Sequence, residues 1–137
     1  MEDWKETLRN KIEGMLTSKK LIDYDSVVAK FEETYNELTQ DLARRDKSLF
    51  LTRKLEGTAT TYFYIHYYAL GLVNNGESIE VIVRNEEPHP ETKEKIAEIR
   101  FENDFAYIAF TGKENVSHYL NNHYIDQLFK NAYRHLL

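Results

Sequence analysis

With no cysteine in the chain, histidine, tyrosine and arginine are left to supply most of its polar chemistry. There is no thiol nucleophile, no disulfide and no cysteine-based zinc site to consider. The densest candidate stretch is residues 62–68, Tyr-Phe-Tyr-Ile-His-Tyr-Tyr, in a chain that holds ten tyrosines. Successive side chains of a strand point to opposite faces. Tyr62, Tyr64, His66 and Tyr68 therefore share one face, and Phe63, Ile65 and Tyr67 the other. Histidine titrates near neutral pH, and a tyrosine hydroxyl can hold either ring nitrogen. Joined by His118, the first set would line a small-molecule or nucleotide pocket between a sheet and the last helix. The competing reading is packing, since strands favour tyrosine and a buried hydroxyl only needs one partner.

Metal and phosphate chemistry find less support. His118 and His123 are five residues apart, about 140° around a helix, whereas a helical metal pair wants i, i+4 spacing. Arg44, Arg45, Arg53 and Lys54 form a basic concentration that would suit an anion. The glycines stand alone, without a phosphate-cradling loop, and no serine lies in a nucleophile-elbow setting. No catalytic residue, metal site or cofactor is expected. Phe50, Phe63, Ile65, Tyr67, Phe105 and Tyr107 make up a surplus aromatic surface on the other sheet face, fit for a homodimer or another protein. Glu86, Glu87, Glu91 and Glu94, on a proline-containing loop, would suit an acidic inhibitor of a basic toxin or defence enzyme.

The elements that would position these residues follow from periodicity. Trp4, Leu8, Ile12, Met15 and Leu16 recur at helical spacing and predict a first helix over residues 3–19 with one apolar stripe. A second helix follows, capped by Asp23 or Asp25, with Tyr24, Val27, Val28, Phe31, Tyr35, Leu38 and Leu42 on one face. The short link makes the two an antiparallel hairpin. Five strands are predicted at 48–56, 58–73, 78–84, 96–102 and 105–111, with turns at Glu56-Gly57, Asn75-Gly76 and Asn103-Asp104. Two-residue turns pair Leu51 with Tyr62, Leu72 with Ile79 and Ile99 with Ile108, and set them on the inner face. The second strand is over-long and should bend near Tyr67-Tyr68 or Gly71. A last helix over 114–136 would bury Ile125, Leu128, Phe129, Ala132, Tyr133 and Leu136.

The expected fold is thus a single α+β domain over 1–137. A helical hairpin (1–46) and a C-terminal helix (114–136) pack on a five-stranded antiparallel meander (48–111). The composition, 42% hydrophobic and 30% charged, suits a soluble globular chain. The abundance of Tyr, Asn, Lys and Ile suits bacterial and phage proteins encoded by AT-rich genomes. The uncharged run from residue 57 to 76 is rich in hydroxyls and β-branched residues, so it reads as strand, not membrane helix. The amino end lacks a basic start and an apolar stretch, which points to the cytosol. Net charge is −5, and the half from residue 58 onward is the acidic one, so duplex nucleic acid is disfavoured as a partner. The leading expectation is a non-enzymatic binding protein, homodimeric through its aromatic sheet surface.

Overall fold

Capping residues start the helices where periodicity places them. Asp3 accepts from the Lys5 amide at 3.1 Å and opens α1 (Trp4–Lys20), which ends on two lysines as its dipole favours. Asp23 and Ser26 form a reciprocal capping box at the start of α2 (Tyr24–Arg45). The computed structural model describes residues 3–55, 59–86 and 91–137. Within them the strands are β1 (Phe50–Leu55), β2 (Thr60–Ile65), β3 (Tyr68–Asn74), β4 (Ser78–Asn85), β5 (Thr92–Glu102), β6 (Phe105–Phe110) and β7 (His118–Tyr119), followed by α3 (Asn122–Ala132). The strands form one antiparallel meander in which each lies beside its sequence neighbours. The protein is α+β: an N-terminal helical hairpin, a sheet and a C-terminal helix. The hairpin is splayed, with α1 on β6 and β7 while α2 lies on β2 and against α3.

Seven strands replace the expected five. The stretch 58–73 is not one bent strand; His66 and Tyr67 form a tight turn that pairs Ile65 with Tyr68. His66 takes φ 57°, a region usually left to glycine. Its amide donates to the Leu49 carbonyl at 2.7 Å, and the Tyr67 carbonyl accepts from the Glu86 amide at 3.0 Å. Neighbouring strands thus hold a turn whose own residues do not announce it. A two-residue turn reverses face parity. Phe63 and Ile65 join Tyr68, Leu70 and Leu72 on the helix-bearing side, and Tyr62 and Tyr64 go to the back. The inner-face assignment of Tyr62, Tyr64 and Leu51 is corrected accordingly.

Other differences are smaller. Ile99 pairs with Ile108 across Asn103-Asp104, as the turn residues require. The β3–β4 pairing is shifted, with Leu72 opposite Val81, because Asn75 starts the turn by accepting from the Ser78 amide at 2.9 Å. The Glu56-Gly57 turn lies outside the described residues, and Leu51 pairs with Tyr64 instead of Tyr62. Residues 114–136 do not form one helix. Asn121 accepts from the Tyr124 amide at 3.3 Å and starts α3 late, leaving His118 on β7.

Phe31, Phe63 and Phe129 form the centre of the core, with Phe129 lying 5.8 and 5.9 Å from the other two rings. Hydroxyls then fix every helix to a strand carbonyl. Ser18 donates to Ala106, Tyr24 to Leu72 at 3.0 Å, Tyr35 to Tyr64 at 2.6 Å and Tyr133 to Phe63 at 2.8 Å. Burial pushes the Tyr35 hydroxyl up to about 12, and raises Tyr133 as well with help from nearby Tyr35. The folded state therefore keeps these protons after the unfolded chain has released them.

Stability should be level below pH 10.0 and fall as pH rises towards about 12. In denaturant titrations across that range, Tyr35→Phe should flatten the alkaline fall while lowering the neutral plateau by about 1–2 kcal/mol. A second expectation concerns Gly71, over which the Tyr62 ring lies. An added Cβ would stand 2.7 Å from Tyr62 Cε1 and 2.8 Å from Ile82 Cγ1. Gly71→Ala should destabilise by about 1–3 kcal/mol through overpacking, read as a shift in the urea midpoint.

Candidate functional site

Among the described residues, a large concavity lies where α2 outruns its neighbour. Val27, Phe31 and Tyr35 of α2 are buried against β2 and α3, but α3 has only 11 residues against the 22 of α2. Thr39, the last buried residue of α2, turns its hydroxyl back to the Tyr35 carbonyl at 2.8 Å. Leu38 and Leu42 continue the apolar stripe without cover, 52% and 49% exposed. Past α3, a turn of 3-10 helix (Arg134–Leu136) brings Leu136, also about half exposed, to the facing wall. Phe50 and Ile65, half-buried at the β1–β2 end of the sheet, lie between these walls with Phe129 and Tyr133. The resulting groove encloses about 740 Å³ and is almost wholly apolar, with Glu37, Asp126 and Lys130 among its few charged residues.

Such a lining can hold apolar side chains, and the two carboxylates can receive cationic or N–H groups beside them. The groove holds no nucleophile–base pair. Among the described residues, no group of three or more histidine or carboxylate side chains stands ready to hold a metal ion.

The sequence-predicted pocket does not assemble. Tyr62 and Tyr64 lie on the back of the sheet, both buried, with ring centroids 5.8 Å apart. His66 is exposed in its turn beside Tyr67, at 3.9 Å between ring centroids. Tyr68 is on the helix-bearing face, stacked on His135 at 5.6 Å. His118 stacks on Tyr124 at 4.8 Å on β7, four strands from β3 and so roughly 20 Å from the other residues.

The aromatic surface is likewise divided. Phe63 is fully buried in the core, while Phe50 and Ile65 line the groove and Tyr67 sits in the β2–β3 turn. Phe105 and Tyr107 lie on the back near the far edge, with Tyr119 at 5.2 and 5.1 Å. The parity reversal at His66-Tyr67 accounts for this separation.

The charged candidates also separate. Arg44 and Arg45 end α2 in solvent, and Arg53 and Lys54 face opposite ways on β1, with Lys54 3.9 Å from Glu32. Glu86 and Glu91 are held by Arg84, at 3.4 and 2.7 Å, Glu94 is exposed on β5, and Glu87 lies outside the described residues. Arg84 also covers the Tyr62 ring at 5.2 Å and donates to the Tyr64 hydroxyl at 3.1 Å. Its hydrogen bond holds the Glu91 carboxyl below the usual range, and burial raises the Tyr64 hydroxyl. Arg84 is thus a lid over two buried rings on a face that no helix covers.

The groove itself had a partial signal in the sequence. Leu38, Leu42 and Leu136 belong to stripes read as buried, and what went unseen was where the neighbouring elements stop. Fold and site together define a two-layer α+β protein with an unfilled apolar cleft on its helix-bearing face. Compared with known proteins, the chain matches no family model, no curated protein and no solved structure. No helix of the described residues is long and apolar enough to cross a membrane.

Arg84→Ala should uncover Tyr62 and leave Tyr64 without its donor. A loss of about 1–3 kcal/mol in urea unfolding is expected, with faster amide exchange in β4 and the start of β5.

Proposed function

We propose that this is a cytosolic, non-enzymatic interaction protein, and that its working surface is the groove between α2, α3 and the β1–β2 edge. The aromatic strand surface expected from the sequence is divided between core, turn and back face, and only Phe50 and Ile65 of it belong to this groove. One observation carries the reading. Leu38, Leu42 and Leu136 stand about half exposed around a single cleft, where lone surface leucines would be scattered. A cleft walled by leucines and floored by aromatics suits the apolar face of an amphipathic helix, entering with residues at i, i+3, i+4 and i+7. Glu37 and Asp126 would then meet cationic residues beside that face. The partner is a protein surface, from a second copy of the chain or from another protein.

The fluorescent probe anilinonaphthalenesulfonate tests whether the cleft takes up apolar groups. The wild-type chain, kept dilute, should bind it saturably. Leu42→Glu should weaken that binding at least tenfold, whereas Leu51→Glu, at an exposed leucine on β1 outside the cleft, should leave it unchanged. Equal binding by Leu42→Glu and the wild type would overturn the reading.

A further inference from the structure

The same chain carries an apolar helix face that nothing among the described residues covers. Residues 4–13 of α1, about 15 Å of helix, are exposed throughout. The helix packs on the body at Gly14 and Ser18, and Asn10 and Glu13 border a cleft towards Asn121 and His123. Along the helix run Trp4, Leu8, Ile12 and Leu16, exposed at 69%, 50%, 45% and 55%. A helix this short gains little stability from its own hydrogen bonds and depends on packing of its apolar face. We infer that the groove is filled by α1 of a second copy, and that the chain forms a reciprocal dimer in which each protomer's helix lies in the other's cleft.

This rests on the groove being a docking surface, and three features select the occupant. The first is length. Trp4 to Ile12 spans nine residues, as does Thr34 to Leu42 along the groove wall, a rise of about 12 Å in each case.

The second is charge. Around the α1 axis, Lys5, Arg9 and Lys11 lie within about 80° of the stripe's midline, and Glu6 and Glu13 about 120° or more away. An apolar face with basic flanks meets a cleft that carries Glu37 and Asp126, against the one cation Lys130.

The third is area. The stripe exposes on the order of 400 Å² and the groove about half as much, so two helices in two grooves would bury about 1,200 Å² in total, the lower end of the stable-interface range.

The topology permits closure. α1 covers the β6–β7 end of the helix-bearing face, and the groove lies at the β1–β2 end. Along the strands, α1 is anchored near Asn103-Asp104 and the groove lies at the opposite end, near Ile65, so the two are diagonally placed. A two-fold axis between two facing helix layers, perpendicular to the line from α1 to the groove, sets each α1 opposite the partner's groove.

Sedimentation equilibrium on the full chain tests this with Leu8→Glu and Leu42→Glu, both at exposed positions that leave the core intact; circular dichroism checks the fold of each. The wild type should sediment at twice the chain mass. Each variant should self-associate at least tenfold more weakly. An equimolar mixture of the two should associate again, because one chain keeps its groove and the other its helix. A monomeric wild type at all concentrations would overturn the proposal. So would a Leu42→Glu chain that dimerises normally, as stripe-to-stripe pairing would give, or a mixture that stays monomeric. The two readings fail separately. A monomeric wild type that still binds anilinonaphthalenesulfonate keeps the docking surface and loses α1 as its occupant. A Leu8→Glu chain whose open groove takes up no probe removes both.

Discussion

Tyr35 and Tyr133 approach β2 from different helices and donate to adjacent carbonyls, those of Tyr64 and Phe63. Most of the architecture depends on this pair of hydrogen bonds and the rings beneath them. A strand carbonyl that accepts a side-chain hydroxyl fixes the helix above it in height and rotation, which apolar contact alone does not do. With Phe31, Phe63 and Phe129 packed at 5.8 and 5.9 Å, the two tyrosines hold α2 and α3 over the same strand and so set the gap between them. α3 ends at Ala132 while α2 runs on to Arg45, and the cleft lies along that unmatched stretch, with Tyr133 itself in its wall.

Much of this was readable from residue order. Asn103-Asp104 takes positive φ at both positions and fixes the β5–β6 register as its residue types suggest. The stripes of α2 and α3 identify Val27, Phe31, Tyr35, Ile125, Leu128 and Phe129 correctly as buried. The failure at His66-Tyr67 has a physical cause. Neither residue favours a turn, so the bend is imposed by the hydrogen bonds of neighbouring strands, which local sequence does not encode. One missed two-residue turn reversed the faces of β2 and, with them, both candidate surfaces. Periodicity also says that a helix has an apolar side without saying what covers it. For Trp4, Leu8 and Ile12, nothing in the described chain does.

The back of the sheet shows a different solution to an uncovered face. β2 buries Tyr62 and Tyr64 there by placing one ring over Gly71 and drawing Arg84 across it, with Glu86 and Glu91 holding the guanidinium. Two large side chains are shielded by one long cation instead of a layer of structure. The helix-bearing face instead keeps an opening that is apolar to its floor.

The bond from Ser18 to Ala106 joins residues 88 positions apart in the chain. On a ribosome adding about 5–20 residues each second, the strand that receives α1 is made roughly 4–18 s after the helix itself. For that interval α1 is a nascent-chain element with no strand to rest on, and its Trp4–Leu16 stripe is open to chaperones or to a neighbouring chain on the same message.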